Sequence, residues 1–198
     1  LDAAATLTEV EDIYRPYKQK KKTRASVAIE KGLQPLADLI YAQQTTEGDI
    51  SELAAPFVNA EKGVENSEQA LKGAADIIAE MISDDAELRK SLREVLKNEA
   101  DISTKQINPE KEEGRVYEMY ADHSEKIAKI PAHRVLAINR GEKEECLKVG
   151  IVEDREAALA KVKAAHVKGD SIFRGLLEAT AEDAYDRLIF PSIEREVR

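Results

Sequence analysis

Ser67–Asn98 reads SEQALKGAADIIAEMISDDAELRKSLREVLKN, two helical patterns separated by a two-residue turn. Behind Ser67, a natural N-cap, the residues Leu71, Ala74, Ile77, Ile78 and Met81 recur at three- and four-residue steps. Asp84 and Glu87 have capping-box spacing, and Leu88, Leu92 and Val95 continue the helical period. The pair has the outline of a helix-turn-helix, which is a very common arrangement. Its second helix mixes Arg89, Lys90, Arg93 and Lys97 with Glu87, Glu94 and Glu99. That mixture suits a solvated face better than a major-groove reader.

Helical punctuation continues on both sides. Residues 3–14 carry Leu7, Val10, Ile13 and Tyr14 on one side, and Pro16 ends that pattern. Thr23 caps a short helix that Gly32 closes, and Pro35 opens another with Leu36, Leu39 and Ile40 on its apolar face. Gln43–Asp49 is a soft segment, and Asp49 and Glu52 repeat the capping-box spacing. Asn108-Pro109-Glu110 predicts a helix running to about Tyr120. Pro131 opens Ala132–Arg140, which Gly141 closes. Glu144–Val152 is the one good strand candidate, with Asp101–Ile107 as a weaker partner. Asp154–His166 and Ser171–Ala179 read as helices, Thr180 and Asp183 cap a further one over Ala181–Phe190, and Pro191 begins the last. The expected fold class is mainly α: a multi-helical bundle with a helix-turn-helix-like subdomain and at most one short strand pair. Residues 1–48 and 113–198 are expected to form the helical body, and 49–112 the subdomain.

Composition agrees with this. Tryptophan is absent, aromatics are scarce, and Ala, Leu, Ile, Glu and Lys dominate. The single cysteine, Cys146, excludes an internal disulfide and fits a reducing compartment. The first residues lack a signal-peptide pattern, and no apolar run approaches the roughly 20 residues of a membrane span. A cytoplasmic chain with no membrane partner is expected. It starts at Leu1 without Met and stops at Arg198 inside a helical pattern, so it is expected to be a piece of a longer protein.

Charge is distributed unevenly. Thirty basic residues face thirty-nine acidic ones, for a net charge of −9. Six of the basic residues fall within Glu11–Ala25, EDIYRPYKQKKKTRA, and no acidic residue lies between Ile13 and Ile29. A compact cationic island on an anionic chain suggests a polyanion contact, with nucleic acid the commonest candidate. The same island is also the pattern of a solvated charge run between helices. The acidic remainder argues against wholesale coating of duplex DNA, which needs a broad basic face. A second cationic feature lies in Lys129–Lys148, KIPAHRVLAINRGEKEECLK. Arg140 sits near a helix C-terminus, where its charge is favourable, but Arg134 sits in a first turn, where it is not. Arg134 therefore calls for a partner, either an acidic side chain of this chain or an external phosphate.

No catalytic constellation is visible. His123, His133 and His166 are far apart, and none has metal-ligand spacing to another ligand. Cys146 has no nucleophile context and reads as a half-buried strand thiol. The nine glycines are scattered and form no phosphate cradle. Carboxylates alternate with Lys and Arg along helices, as solvated pairs do. The chain reads as non-enzymatic, with no cofactor and no metal.

Four blocks carry a resemblance: YRPYKQKKKTRASVAIEKGLQPLADLI, ADIIAEMISDDAELR, IPAHRVLAINRGEKEECLKV and DAYDRLIFPSIEREVR. In this order they resemble the bacterial Tex proteins, transcription accessory factors related to a eukaryotic elongation factor. Ala132 departs from the family pattern, where serine usually precedes the residue matching His133. The resemblance implies a helical N-terminal region with a helix-turn-helix element. In the family it is followed by an inactive RNase-H-like domain, helix-hairpin-helix segments and an S1 domain that is the main nucleic-acid contact. This chain would be the helical region alone. It would act as a scaffold for transcription, helping later domains bind RNA or DNA and adding a weak phosphate contact of its own. Lys20, Lys21, Lys22, Arg24, Arg134 and Arg140 are the candidate contact residues. The alternative is a docking module for RNA polymerase, other transcription proteins or another basic partner.

Overall fold

A computed structural model describes residues 6–18, 22–110 and 112–198. The fold is mainly α, with one small sheet. The chain divides into two units, Leu1–Lys90 with Glu156–Arg195, and Ser91–Arg155 with Glu196–Arg198.

The first unit contains α1 (Leu7–Tyr14), α2 (Arg24–Glu30), α3 (Gln34–Ala42), α4 (Ile50–Ala54) and α5 (Ser67–Ser83). From the later part of the chain come most of α8 (Arg155–His166), α9 (Arg174–Asp183) and most of α10 (Phe190–Val197). Helix α5 is central and packs on α2, α3, α4 and α9. Its buried face is Ala70, Ala74, Ile77, Ile78, Ala79 and Ile82. Small residues let neighbouring helices approach, and each buried Ile contributes roughly 1.5–3 kcal/mol. The caps are shifted by one residue from those expected. Asn66 rather than Ser67 caps α5, accepting from the Gln69 amide, and Asp85 rather than Asp84 accepts from the Leu88 amide.

Further expectations are corrected in this unit. The apolar stripe of α1 does not face inward: Leu7 is 75% and Tyr14 55% exposed, and the buried residue is Asp12. The basic residues of the helix after α5 do not all form a solvated face. Arg89 is fully buried, and its Nε donates to Asp12 Oδ1 at 2.7 Å. Lastly, Thr180 and Asp183 do not start a helix. A π-helical turn, Ala184–Ile189, joins α9 to α10 without a break, and the Thr180 hydroxyl donates back to the Leu176 carbonyl. Pro191 then lies inside α10.

The second unit takes part of α6 (Ala86–Glu99), together with α7 (Ala132–Lys143) and the strands β1 (Asp101–Gln106), β2 (Asp122–Lys126) and β3 (Leu147–Val152). The sheet is antiparallel in the order β2-β1-β3, with Thr104 opposite both His123 and Val149. It thus adds a third strand to the two segments expected. Ile102, Tyr117, Tyr120, Ile138, Cys146, Leu147 and Val149 form the core, so the Cys146 thiol is buried rather than half-buried. Asn108-Pro109-Glu110 leads to 3₁₀ structure over Glu112–Tyr120, not to an α-helix. Gly141 does not end α7, which continues to Lys143. A Cβ at Gly141 would stand 2.7 Å from Leu147 Cδ1 and 3.0 Å from Tyr117 Cδ1. Arg93, also expected on a solvated face, is buried and donates from Nε to Glu196 Oε2 at 2.8 Å.

Candidate functional site

Helix α2 starts with a reciprocal cap. The Ser26 amide donates to Thr23 Oγ1 at 3.0 Å, and the Thr23 amide donates to Ser26 Oγ at 2.8 Å. This cap fixes where Lys22 and Arg24 leave the backbone, just before and at the first helical position. Gly32 closes the turn with φ +84°, and Leu33, buried, leads into α3. Gly73 on α5 lies under Leu33: a Cβ there would stand 2.3 Å from Leu33 Cδ1. The close approach brings one turn of α5 against α2.

Between them lies a groove of about 380 Å³. Lys22, Arg24, Lys31 and Lys72 line it, with Asp76 the one carboxylate among the described residues, and an apolar floor that includes Val27, Ala28 and Leu33. Lys31 Nζ is steadied by donation to the Gly63 carbonyl at 2.9 Å, which leaves its charge intact. Lys22 Nζ is 3.9 Å from Glu30 Oε2, and both side chains are largely exposed, so the pair is weak. Arg24, Lys72 and Asp76 also border a second groove that reaches Asp183 on α9. Burial pushes the Asp76 carboxyl up from the usual carboxylate range, against the pull of Arg187 and Arg24. A hydrogen bond from Arg187 holds Asp183 below that range.

The sequence candidates divide. Lys20 and Lys21 lie outside the described residues. Lys22 and Arg24 share the groove. Arg134 and Arg140 belong to the second unit, and each is engaged by a carboxylate. Arg134 Nη1 donates to Glu125 Oε2 at 2.8 Å, which answers the need for a partner in that first turn. Arg140 Nε donates to Glu144 Oε1 at 2.8 Å, and the Tyr117 hydroxyl donates to the other oxygen of Glu144. These bonds raise both guanidinium pKa values and lower those of Glu125 and Glu144. Lys31 and Lys72 do not stand out in the sequence. Lys31 lies at the far end of the same short helix, which is a usable signal. Lys72 joins only through folding.

Arg89 and Arg93, the cations that would give a second helix its reach into a groove, are committed to internal ion pairs. No helix among the described residues is long and apolar enough to cross a membrane.

Residues 45–198 match a family described as Tex central region-like. Over 200 residues the chain is 44% identical to an uncharacterised protein, YdcI, of Bacillus subtilis (strain 168), covering 100% of this chain and 28% of that one. It is 38% identical over 151 residues to the transcriptional accessory protein Tex of Neisseria gonorrhoeae, covering 76% and 19% respectively. It is 28% identical over 211 residues to the S1 RNA-binding domain-containing protein 1 of Pongo abelii, covering 98% and 20%. The chain thus spans between about a fifth and just over a quarter of the length of these relatives.

Proposed function

The chain belongs to the Tex central-region family, and from that premise we propose that it is a non-enzymatic interaction region of a cytoplasmic transcription accessory protein. It positions other nucleic-acid-binding domains and adds a phosphate contact of its own. The observation that carries this reading is the groove in which Lys22, Arg24, Lys31 and Lys72 outnumber Asp76, on a chain whose net charge is −9. A surplus of fixed cations in one cleft attracts phosphate even when the whole molecule is anionic, because screening confines distant charges. The names of the relatives, a transcriptional accessory protein and an S1 RNA-binding protein, support the same direction.

The test is the salt dependence of binding, to single-stranded and duplex oligonucleotides, by the full-length parent. Replacing the four cations with alanine is expected to lower affinity and to flatten the slope of log K against log salt. The slope should fall by about 0.7 for each single-strand phosphate that is no longer neutralised. An unchanged slope excludes the groove as the phosphate site. The excess of carboxylates favours a second reading, the docking of a basic face of RNA polymerase or another transcription protein. Retention of such a partner at moderate salt without nucleic acid would mark it.

A further inference from the structure

Helix α1 is held by charge rather than by its apolar stripe. Glu9, Asp12 and Arg15 follow one another at three-residue steps. Lys90 Nζ reaches Glu9 Oε1 at 2.8 Å, Arg89 Nε reaches Asp12 Oδ1 at 2.7 Å, and Arg15 Nε reaches Asp84 Oδ1 at 3.2 Å. With 3.6 residues per turn in α1, Leu7, Val10 and Tyr14 are centred on the side opposite this ladder, and a 3₁₀ turn over Arg15–Tyr17 carries Tyr17 one turn beyond Tyr14. Tyr14 and Tyr17 are accordingly 55% and 79% exposed, one helical turn apart, and the exposed Lys18 follows them directly. Two exposed tyrosines followed in sequence by a cation differ from a solvated charge run, which needs no aromatic.

We propose that Tyr14 and Tyr17 form a base-stacking platform for single-stranded nucleic acid, whose phosphates Lys18 and the cations of the groove hold. This rests on the reading of the groove as a phosphate site and goes further by naming what lies beside it. The occupant follows from charge and shape together. Tyr17 and Lys22 are five residues apart, so the platform lies within about 18 Å of chain from the groove, a span of a few nucleotides. Single strands offer an unstacked base for each phosphate, and tyrosine rings stack on any base without sequence preference. A duplex hides its base faces, and an anionic chain cannot follow its two phosphate rows. Arg15 is engaged by Asp84 and is not part of the site.

The chain contains no tryptophan, so Tyr17→Trp places its sole indole, which can be excited apart from the tyrosines, at the platform. The probes are oligothymidylate and an abasic deoxyribose-phosphate oligomer of equal length, at low ionic strength. The expected result is quenching by oligothymidylate and not by the abasic strand. The wild-type preference for the base-bearing strand, about tenfold or more, is expected to vanish in the Tyr14→Ala/Tyr17→Ala variant. Tyr17→Phe keeps the ring and is expected to retain the preference. Circular dichroism confirms folding, which such exposed side chains leave intact. Equal binding of both strands without quenching overturns the platform and leaves the groove standing. Binding of neither strand overturns both. Quenching by an added protein but not by oligothymidylate reassigns the face to a protein partner and also overturns the proposal.

Discussion

Arg89 and Asp12 meet inside the protein at 2.7 Å, 77 residues apart in sequence, with both side chains almost wholly removed from solvent. The guanidinium also donates from Nη2 to Ser192 Oγ at 3.0 Å. A buried pair of this kind is costly to break, because one charge then stays in the interior without its counter-ion. Asp12→Ala is expected to destabilise the protein by about 3–5 kcal/mol. Asp12→Asn keeps an acceptor and is expected to cost less, and joint replacement of Arg89 and Asp12 by Met and Leu to cost less than Asp12→Ala. Urea midpoints by circular dichroism read all three.

His166 carries the expected pH dependence. The ring is buried between α3 and the start of α6. Its Nδ1 is 2.9 Å from the Tyr41 hydroxyl, and its Nε2 is 3.2 Å from Asp85 Oδ2. Burial lowers its pKa from the ordinary value of 6.5, with Lys168 adding to this and Asp85 opposing it. The folded state therefore binds this proton less readily than the unfolded chain. The stability it contributes is complete above pH 6.5 and declines as the pH falls from there through the depressed folded pKa. Comparing wild type with His166→Gln between about pH 8 and about pH 5 should show a steeper loss in the wild type. Parallel curves would remove His166 as the source.

The sequence makes α5 and α6 legible as two helices because the apolar period and the capping residues, each within one residue of its expected place, point the same way. It misleads at α1, where Leu7, Val10, Ile13 and Tyr14 have the period of a buried stripe. Three ion pairs supplied by Asp84, Arg89 and Lys90 turn that stripe outward. Periodicity reports that a helix has two faces, not which face finds a partner. Strand β2, DHSEK, has no apolar signal at all and exists because β1 offers it an edge. At the candidate site, Lys22 and Arg24 are visible as part of a charge run. The groove itself needs Gly73 to bring Lys72 to them, and nothing local to either segment encodes that meeting.

Gly141 tests the packing of the second unit. Replacing a helical glycine with alanine normally gains up to about 1 kcal/mol. Here the added methyl group would crowd both Leu147 Cδ1, at 2.7 Å, and Tyr117 Cδ1, at 3.0 Å, and both residues are buried in the core. Overpacking of this kind costs about 1–3 kcal/mol. Gly141→Ala is expected to lower stability despite the better helix propensity, and Gly141→Ala with Leu147→Val to recover part of the loss. A gain in thermal midpoint for the single variant would mean that α7 and β3 leave room for a methyl group between them.

Asp76 offers a test in the direction of gain, which misfolding cannot imitate. Among the described residues it is the one carboxylate lining the groove with Lys22, Arg24, Lys31 and Lys72. Its other role, 3.5 Å from Arg187, is covered by Asp183, which accepts from the same guanidinium at 2.6 Å. Asp76→Asn should therefore leave the helices in place and raise polyanion affinity about three- to fivefold at low salt, with the gain fading as salt screens the groove. Burial already raises the Asp76 pKa, so its charge is lost at a higher pH than that of an ordinary carboxylate. Wild-type affinity should accordingly climb toward that of the variant as the pH falls into the carboxylate range, while the variant stays flatter. Fluorescence anisotropy of a labelled single strand across pH and salt reads both effects. Equal affinities throughout would show that bound phosphate does not sense this carboxylate, and the groove would lose its claim as the binding site.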